Sequence, residues 1–156
     1  MRFRNRVRRV WSKIFNLLRH GPRRWWLVTE AGFFLAREKA YLAFLPFSSY
    51  KKRLASSPHA ESDCKAPLSR EQLAEVVWAV DRLSQMAPRA LNCLPRALAV
   101  QGMLRRRKSE GTICFGVRKT EQGLLTAHAW VEINDEVIVG AVPQLDQYAR
   151  LPSWPG

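Results

Sequence analysis

The first 29 residues contain no acidic side chain, whereas nine Arg or Lys residues (Arg2, Arg4, Arg6, Arg8, Arg9, Lys13, Arg19, Arg23 and Arg24) precede Glu30. An arm of one sign is drawn to something negative: nucleic acid, an anionic membrane face, or an acidic peptide or protein. Cysteine is scarce. Cys64, Cys93 and Cys114 form an odd set with no CxxC pair, which argues against a disulfide framework and against a zinc cage. His59 and Cys64 stand five residues apart with no further ligand types near them, and they read as linker residues. Long apolar runs are missing too. The most apolar stretch, 25–47, is broken by Glu30, Arg37, Glu38 and Lys39, which makes it a poor spanning segment. No apolar run and small-residue cleavage site follow the basic start, so a signal peptide is not indicated. A reducing cytoplasm is the expected setting, with peripheral membrane contact left open.

What is present is a globular balance. Of the 156 residues, 47% are hydrophobic and 25% charged, and the net charge is +13. The length suits one ordinary domain, or a compact domain of about 90 residues with an extension. Three segments are expected: a basic helical N-terminal segment (1–54), a linker rich in small, polar and Pro residues (55–68), and a folded domain (69–156).

Phe3, Val7, Val10, Trp11, Ile14 and Leu18 recur at helical spacing with Arg and Lys opposite them, and His20-Gly21-Pro22 ends that pattern. A second helix is expected over 25–45, closed by Pro46. Such helices pack on the rest of the protein or a partner, or lie on an anionic membrane surface. Ser69 and Gln72 make a capping box ahead of Leu73, Val76, Val77, Val80 and Leu83. Pro88 breaks the chain. A further helix opens near Cys93, tolerates Pro95 in its first turn, and closes on Arg105, Arg106, Arg107 and Lys108, which suit the negative end of its dipole. After Gly111 the period becomes alternating. Strands are expected at 112–119, 126–133 and 136–142, the last two joined by an Asn134-Asp135 turn. Helices followed by a short antiparallel sheet make an α+β domain.

Cys93 sits where the chain enters its helix. Unpaired N–H groups and the positive dipole end there favour thiolate over thiol, the form that attacks. The same N–H groups suit an acyl oxyanion, typically for about 2.7–4 kcal/mol per donor. His128 lies within Thr126-Ala-His-Ala-Trp-Val-Glu-Ile133. Alternation puts His128, Trp130 and Glu132 on one face and Ala127, Ala129, Val131 and Ile133 on the other, core-facing one. A helix-opening thiol and a strand imidazole are the parts of a nucleophile with a general base. Either residue alone more often serves packing. Cys114, a face-mate of Gly116 and Arg118, is read as packing, and Arg96 as a paired charge or an aid to substrate binding.

Asn92-Cys-Leu-Pro-Arg-Ala-Leu-Ala-Val100, Leu104-Arg-Arg-Arg107, Phe115-Gly-Val-Arg118 and Ala127-His-Ala-Trp-Val-Glu132 resemble the stand-alone leader peptidases of lasso-peptide biosynthesis. These are related to the C-terminal half of the microcin-maturing B protein, within the transglutaminase-like (papain-like) superfamily. The likeness covers about residues 70–152. It implies a cysteine peptidase with Cys93 as nucleophile and His128 as general base, and with Arg96 and Trp130 toward substrate. It would remove the leader from a ribosomally made precursor, so that a separate asparagine-synthetase-like cyclase can close the macrolactam. The leader-binding domain is expected on another protein, and neither cofactor nor metal is expected. The family commonly places an Asp twelve residues after the His to orient it; here that position is Gly140. Asp146 is the favoured substitute. Asp135 lies in the hairpin turn, Glu132 lies about 13–14 Å along the strand, and a backbone or amide orienter stays open.

Two other readings compete. The same Cys-His pair would serve acyl transfer to an amine, as a transglutaminase. Alternatively the chain is a basic nucleic-acid-binding protein with structural Cys and His. Against the latter, no nucleic-acid motif is present and the Arg residues are dispersed, so no nucleic-acid partner is expected.

Overall fold

The structure, a computed structural model, describes residues 21–44, 68–86, 92–109 and 111–151. The expected helix at 3–18, most of the 55–68 linker, with His59 and Cys64, and Pro88 lie outside these residues. Helix α1 (Pro22–Phe44) opens with proline at its first position, where the missing N–H costs nothing. Helix α2 (Arg70–Ser84) begins on the expected capping box: Ser69 Oγ accepts from the Gln72 N–H, and the Gln72 side chain accepts from the Ser69 N–H. Helix α3 (Cys93–Arg106) starts at the cysteine itself and takes Pro95 in its first turn. Strands β1 (Thr112–Lys119), β2 (Leu125–Ile133), β3 (Glu136–Val139) and β4 (Ala149–Arg150) follow, with a 3₁₀ turn over Leu145–Gln147.

The sheet is antiparallel throughout, in the order β3-β2-β1-β4. Asn134 and Asp135 make the β2–β3 turn with φ of 50° and 63°, the left-handed pair that tight hairpins require. Beyond the one-residue earlier start of β2 at Leu125, two features of the sheet differ from the sequence expectation. β3 stops at Val139 instead of Val142, because Gly140 turns the chain out of the sheet at φ +86°. The two-residue β4 beyond it carries no alternation long enough to read.

One face of the sheet packs on the helices. Val76, Ala79 and Val80 of α2, Ala97, Val100, Met103 and Leu104 of α3, and Ala129, Val131 and Val139 of the sheet form a single buried cluster. Leu27, Val28, Ala31, Phe34 and Leu35 of α1 join the same cluster, so α1 packs on the rest of the protein. Each large apolar side chain among them contributes about 1.5–3 kcal/mol when fully buried. A buried carboxylate fastens α1 to the end of α3: Glu30 accepts two hydrogen bonds from Arg107, at 3.0 and 2.6 Å. Arg107 also donates to the Met103 carbonyl at 2.9 Å, closing the helix end with a positive charge as its dipole favours.

Candidate functional site

The short α3–β1 connection sends β1 back alongside α3, and antiparallel β2 then runs with α3. Near its C-terminal end, α3 meets β2 where the Leu104 and Val131 side chains both close on Gly111. From there Cys93 lies eleven residues back along α3, about 16 Å, and His128 three residues back along β2, about 10 Å.

Cys93 and His128 belong to different faces of β2. Ala129 and Val131 belong to the helix-packed cluster, and half-buried Cys93 packs against that cluster. His128 lies on the other face with Trp130, its ring stacked on the indole at 6.2 Å and tilted against Tyr148 at 5.5 Å. Among the described residues no hydrogen bond joins Cys93 to His128. Asn92 makes no side-chain cap, and the Cys93 and Leu94 N–H groups precede any intrahelical acceptor, so they remain positioned for an oxyanion.

The imidazole is nevertheless held. His128 Nε2 lies 2.7 Å from the Gly140 carbonyl oxygen. A carbonyl only accepts, so Nε2 carries the proton, and in neutral His128 the lone pair is on Nδ1. The partner is thus the backbone at position 140, not the Asp146 carboxylate. Asp146 is exposed in the 3₁₀ turn and makes no hydrogen bond to His128 among the described residues. Gly140 reaches the ring because β3 ends there. We expect Asp146→Asn to change kcat/KM by less than about twofold, as a surface substitution remote from any bond to the ring. A steady-state comparison with the unaltered chain checks it.

The segment after Gly140 crosses the His128 face and is fastened there. Gly116 makes room: a β-carbon at that position would come within 2.9 Å of Tyr148 Cβ and 3.0 Å of the Trp130 ring. Arg150 donates to both oxygens of buried Glu132, at 3.0 and 2.7 Å, and its guanidinium lies over the Trp130 ring. Glu132 also accepts from Trp130 Nε1 at 2.8 Å and from Cys114 Sγ at 3.2 Å. Burial alone would raise the carboxyl's pKa, but these donors outweigh it and hold it below the ordinary value. Trp130, expected to touch substrate, is only 1% exposed and its N–H is already engaged. Arg96 is ion-paired with Asp81 of α2, which ties the opening of α3 to its neighbour.

Cys114 differs sharply from a nucleophile. Burial, followed by its hydrogen bond and proximity to Glu132, pushes its thiol pKa up to about 11. Near pH 8 only about one molecule in a thousand would carry that thiolate. Iodoacetamide should therefore alkylate Cys114 about a hundredfold more slowly in the folded chain than in urea, read by peptide mapping.

Comparison with known proteins follows from this geometry. The family model described as the transglutaminase-like superfamily matches residues 40–153. The chain belongs to the transglutaminase-like superfamily. No curated protein and no solved structure matches it. As a transglutaminase-like protein it falls among cysteine-based peptidases and transferases, and the match takes in Cys93, Cys114, His128 and Gly140 together. The α+β architecture, helices on a small antiparallel sheet, agrees with that placement. Among the described residues no helix is long and apolar enough to cross a membrane, and no cluster of His, Cys, Asp and Glu would hold a metal ion.

The sequence reading left a backbone orienter open without locating it at Gly140, and it missed Tyr148 over the imidazole and Arg150 on Glu132. Glycine in place of the family's Asp was the one visible signal. Tyr148 and Arg150 stand in a stretch with no periodicity.

Proposed function

We propose that this chain is a cysteine peptidase that removes the leader from a ribosomally made lasso-peptide precursor, freeing the core amine for a separate cyclase. The observation that carries the reading is the fixed tautomer of His128, with Nε2–H on the Gly140 carbonyl and Nδ1 available as a base. Cys93 opens α3, where backbone N–H groups precede any intrahelical acceptor. In this mechanism Cys93 Sγ attacks the scissile carbonyl, and His128 Nδ1 takes the thiol proton. The Cys93 and Leu94 N–H groups receive the oxyanion. The proton then passes to the leaving amine, and water releases the leader from the acyl-enzyme. The free chain does not hold the thiol and imidazole by a direct hydrogen bond and keeps them on different faces of β2, so the reading requires a rearrangement that brings them together on bound substrate.

The residue strings shared with the leader peptidases favour a precursor peptide as substrate over a generic protein. The basic charge suits an acidic leader. The test is mass spectrometry of a precursor encoded beside this chain, incubated with it, with and without a leader-binding protein and with and without added amine. A leader and a free core, formed faster with the leader-binding protein, are expected. An amide of the added amine as the main product would mark an acyl transferase, and an intact precursor in every arm would remove the reading.

A further inference from the structure

Helix α1 buries one side and displays an uncharged stripe on the opposite one. One side carries Leu27, Val28, Ala31, Phe34 and Leu35 into the core. The other displays Trp26, Thr29, Phe33, Ala36, Ala40 and Ala43 at alternating spacings of three and four residues, with Phe44 beside the last, and all of them are exposed. Trp26 is 61% exposed, Phe33 63% and Phe44 86%. The small residues between these three aromatics leave each ring standing clear of the helix surface. Large aromatics along one exposed, uncharged stripe mark a docking surface.

Charge decides among occupants. The acidic residues of α1, Glu30 and Glu38, are both buried, so its exposed ionic residues are cationic: Arg23, which pairs with Glu75 of α2 at 3.0 Å, Arg24 and Lys39. Residues 1–20 add seven Arg or Lys and no acid. Packing that segment, or a second copy of α1, onto the stripe would set cations against cations with no exposed carboxylate of α1 between them. An anionic lipid surface reverses the sign of that interaction while taking the aromatics into its headgroup boundary. We infer that the exposed face of α1 docks on an anionic membrane surface, with Trp26, Phe33 and Phe44 inserted and Arg23 and Lys39 against the headgroups. The helix lies in the interface and does not cross it, in keeping with its charges. The inference is independent of the peptidase reading.

The experiment is co-sedimentation of the full chain with phosphatidylcholine vesicles, with and without phosphatidylglycerol, beside light scattering of the free chain. The unaltered chain should bind only vesicles containing phosphatidylglycerol, and less as salt is raised. The double variant Trp26→Ser/Phe33→Ser should bind them at least about tenfold more weakly, with unchanged thermal melting because both side chains are exposed. Failure to bind, equal binding without phosphatidylglycerol, or binding undiminished in the double variant would each overturn the inference. So would a dimer in solution that Phe33→Ser dissociates, which would make the stripe a contact between copies.

Discussion

Replacing Cys93 by Ala should abolish precursor cleavage, a loss of about 10³-fold or more, and Cys93→Ser should do no better. Serine keeps the shape, but its hydroxyl is far harder to ionise than a thiol at the same helix opening. His128→Ala should cost roughly 10²–10⁴-fold, the usual worth of a general base. Cys114→Ala is the control. Its thiol is already forced toward the neutral form and donates to Glu132. Its loss should cost about 1 kcal/mol of stability and leave most activity. The measurement is the initial rate of leader release, with the melting temperature of each variant alongside. A dead Cys114→Ala variant of normal stability would move the nucleophile to the other cysteine. An active His128→Ala variant would leave Cys93 without its partner.

The elements that position the site follow from local rules. Ser69 and Gln72 start α2 because two orphan N–H groups need acceptors. Asn134 and Asp135 tolerate the left-handed turn that joins β2 to β3. Alternation sorted Ala129 and Val131 from His128 and Trp130. It did not show that both faces of β2 are covered. Trp130 and Glu132 are buried because the chain after Gly140 crosses the second face and closes on Glu132 through Arg150. That contact is long-range and leaves no periodic trace. The same holds for the orienting group of His128. A reading confined to side chains searches for a carboxylate and finds Asp146, whereas the acceptor in place is a main-chain oxygen, which every residue possesses and no motif marks.

That carbonyl makes Gly140 the most informative position after Cys93 and His128. The lasso-peptidase resemblance suggests that Gly140→Asp would restore a missing triad member, yet the backbone argues for the opposite result. Gly140 has φ +86°, a conformation that side chains with a β-carbon rarely adopt. A β-carbon there would lie 2.9 Å from the Ala129 carbonyl oxygen and 2.9 Å from Trp130 Cβ. These contacts are with the centre of β2 and cannot swing aside as the tip of a long side chain could. Gly140→Ala and Gly140→Asp should both cost roughly 2–4 kcal/mol, lowering the melting temperature by roughly 5–15 °C. The turn would relax by moving its carbonyl away from Nε2. With the tautomer no longer fixed, cleavage should fall by an order of 10²–10⁴, below the melting temperature and beyond what the unfolded fraction explains. The pH profile separates the two contributions: a purely structural loss scales the whole rate curve, whereas a freed imidazole changes its shape. If Gly140→Asp were instead faster than the unaltered chain, a carboxylate would be the group His128 lacks, and the carbonyl would be a neighbour without a catalytic part.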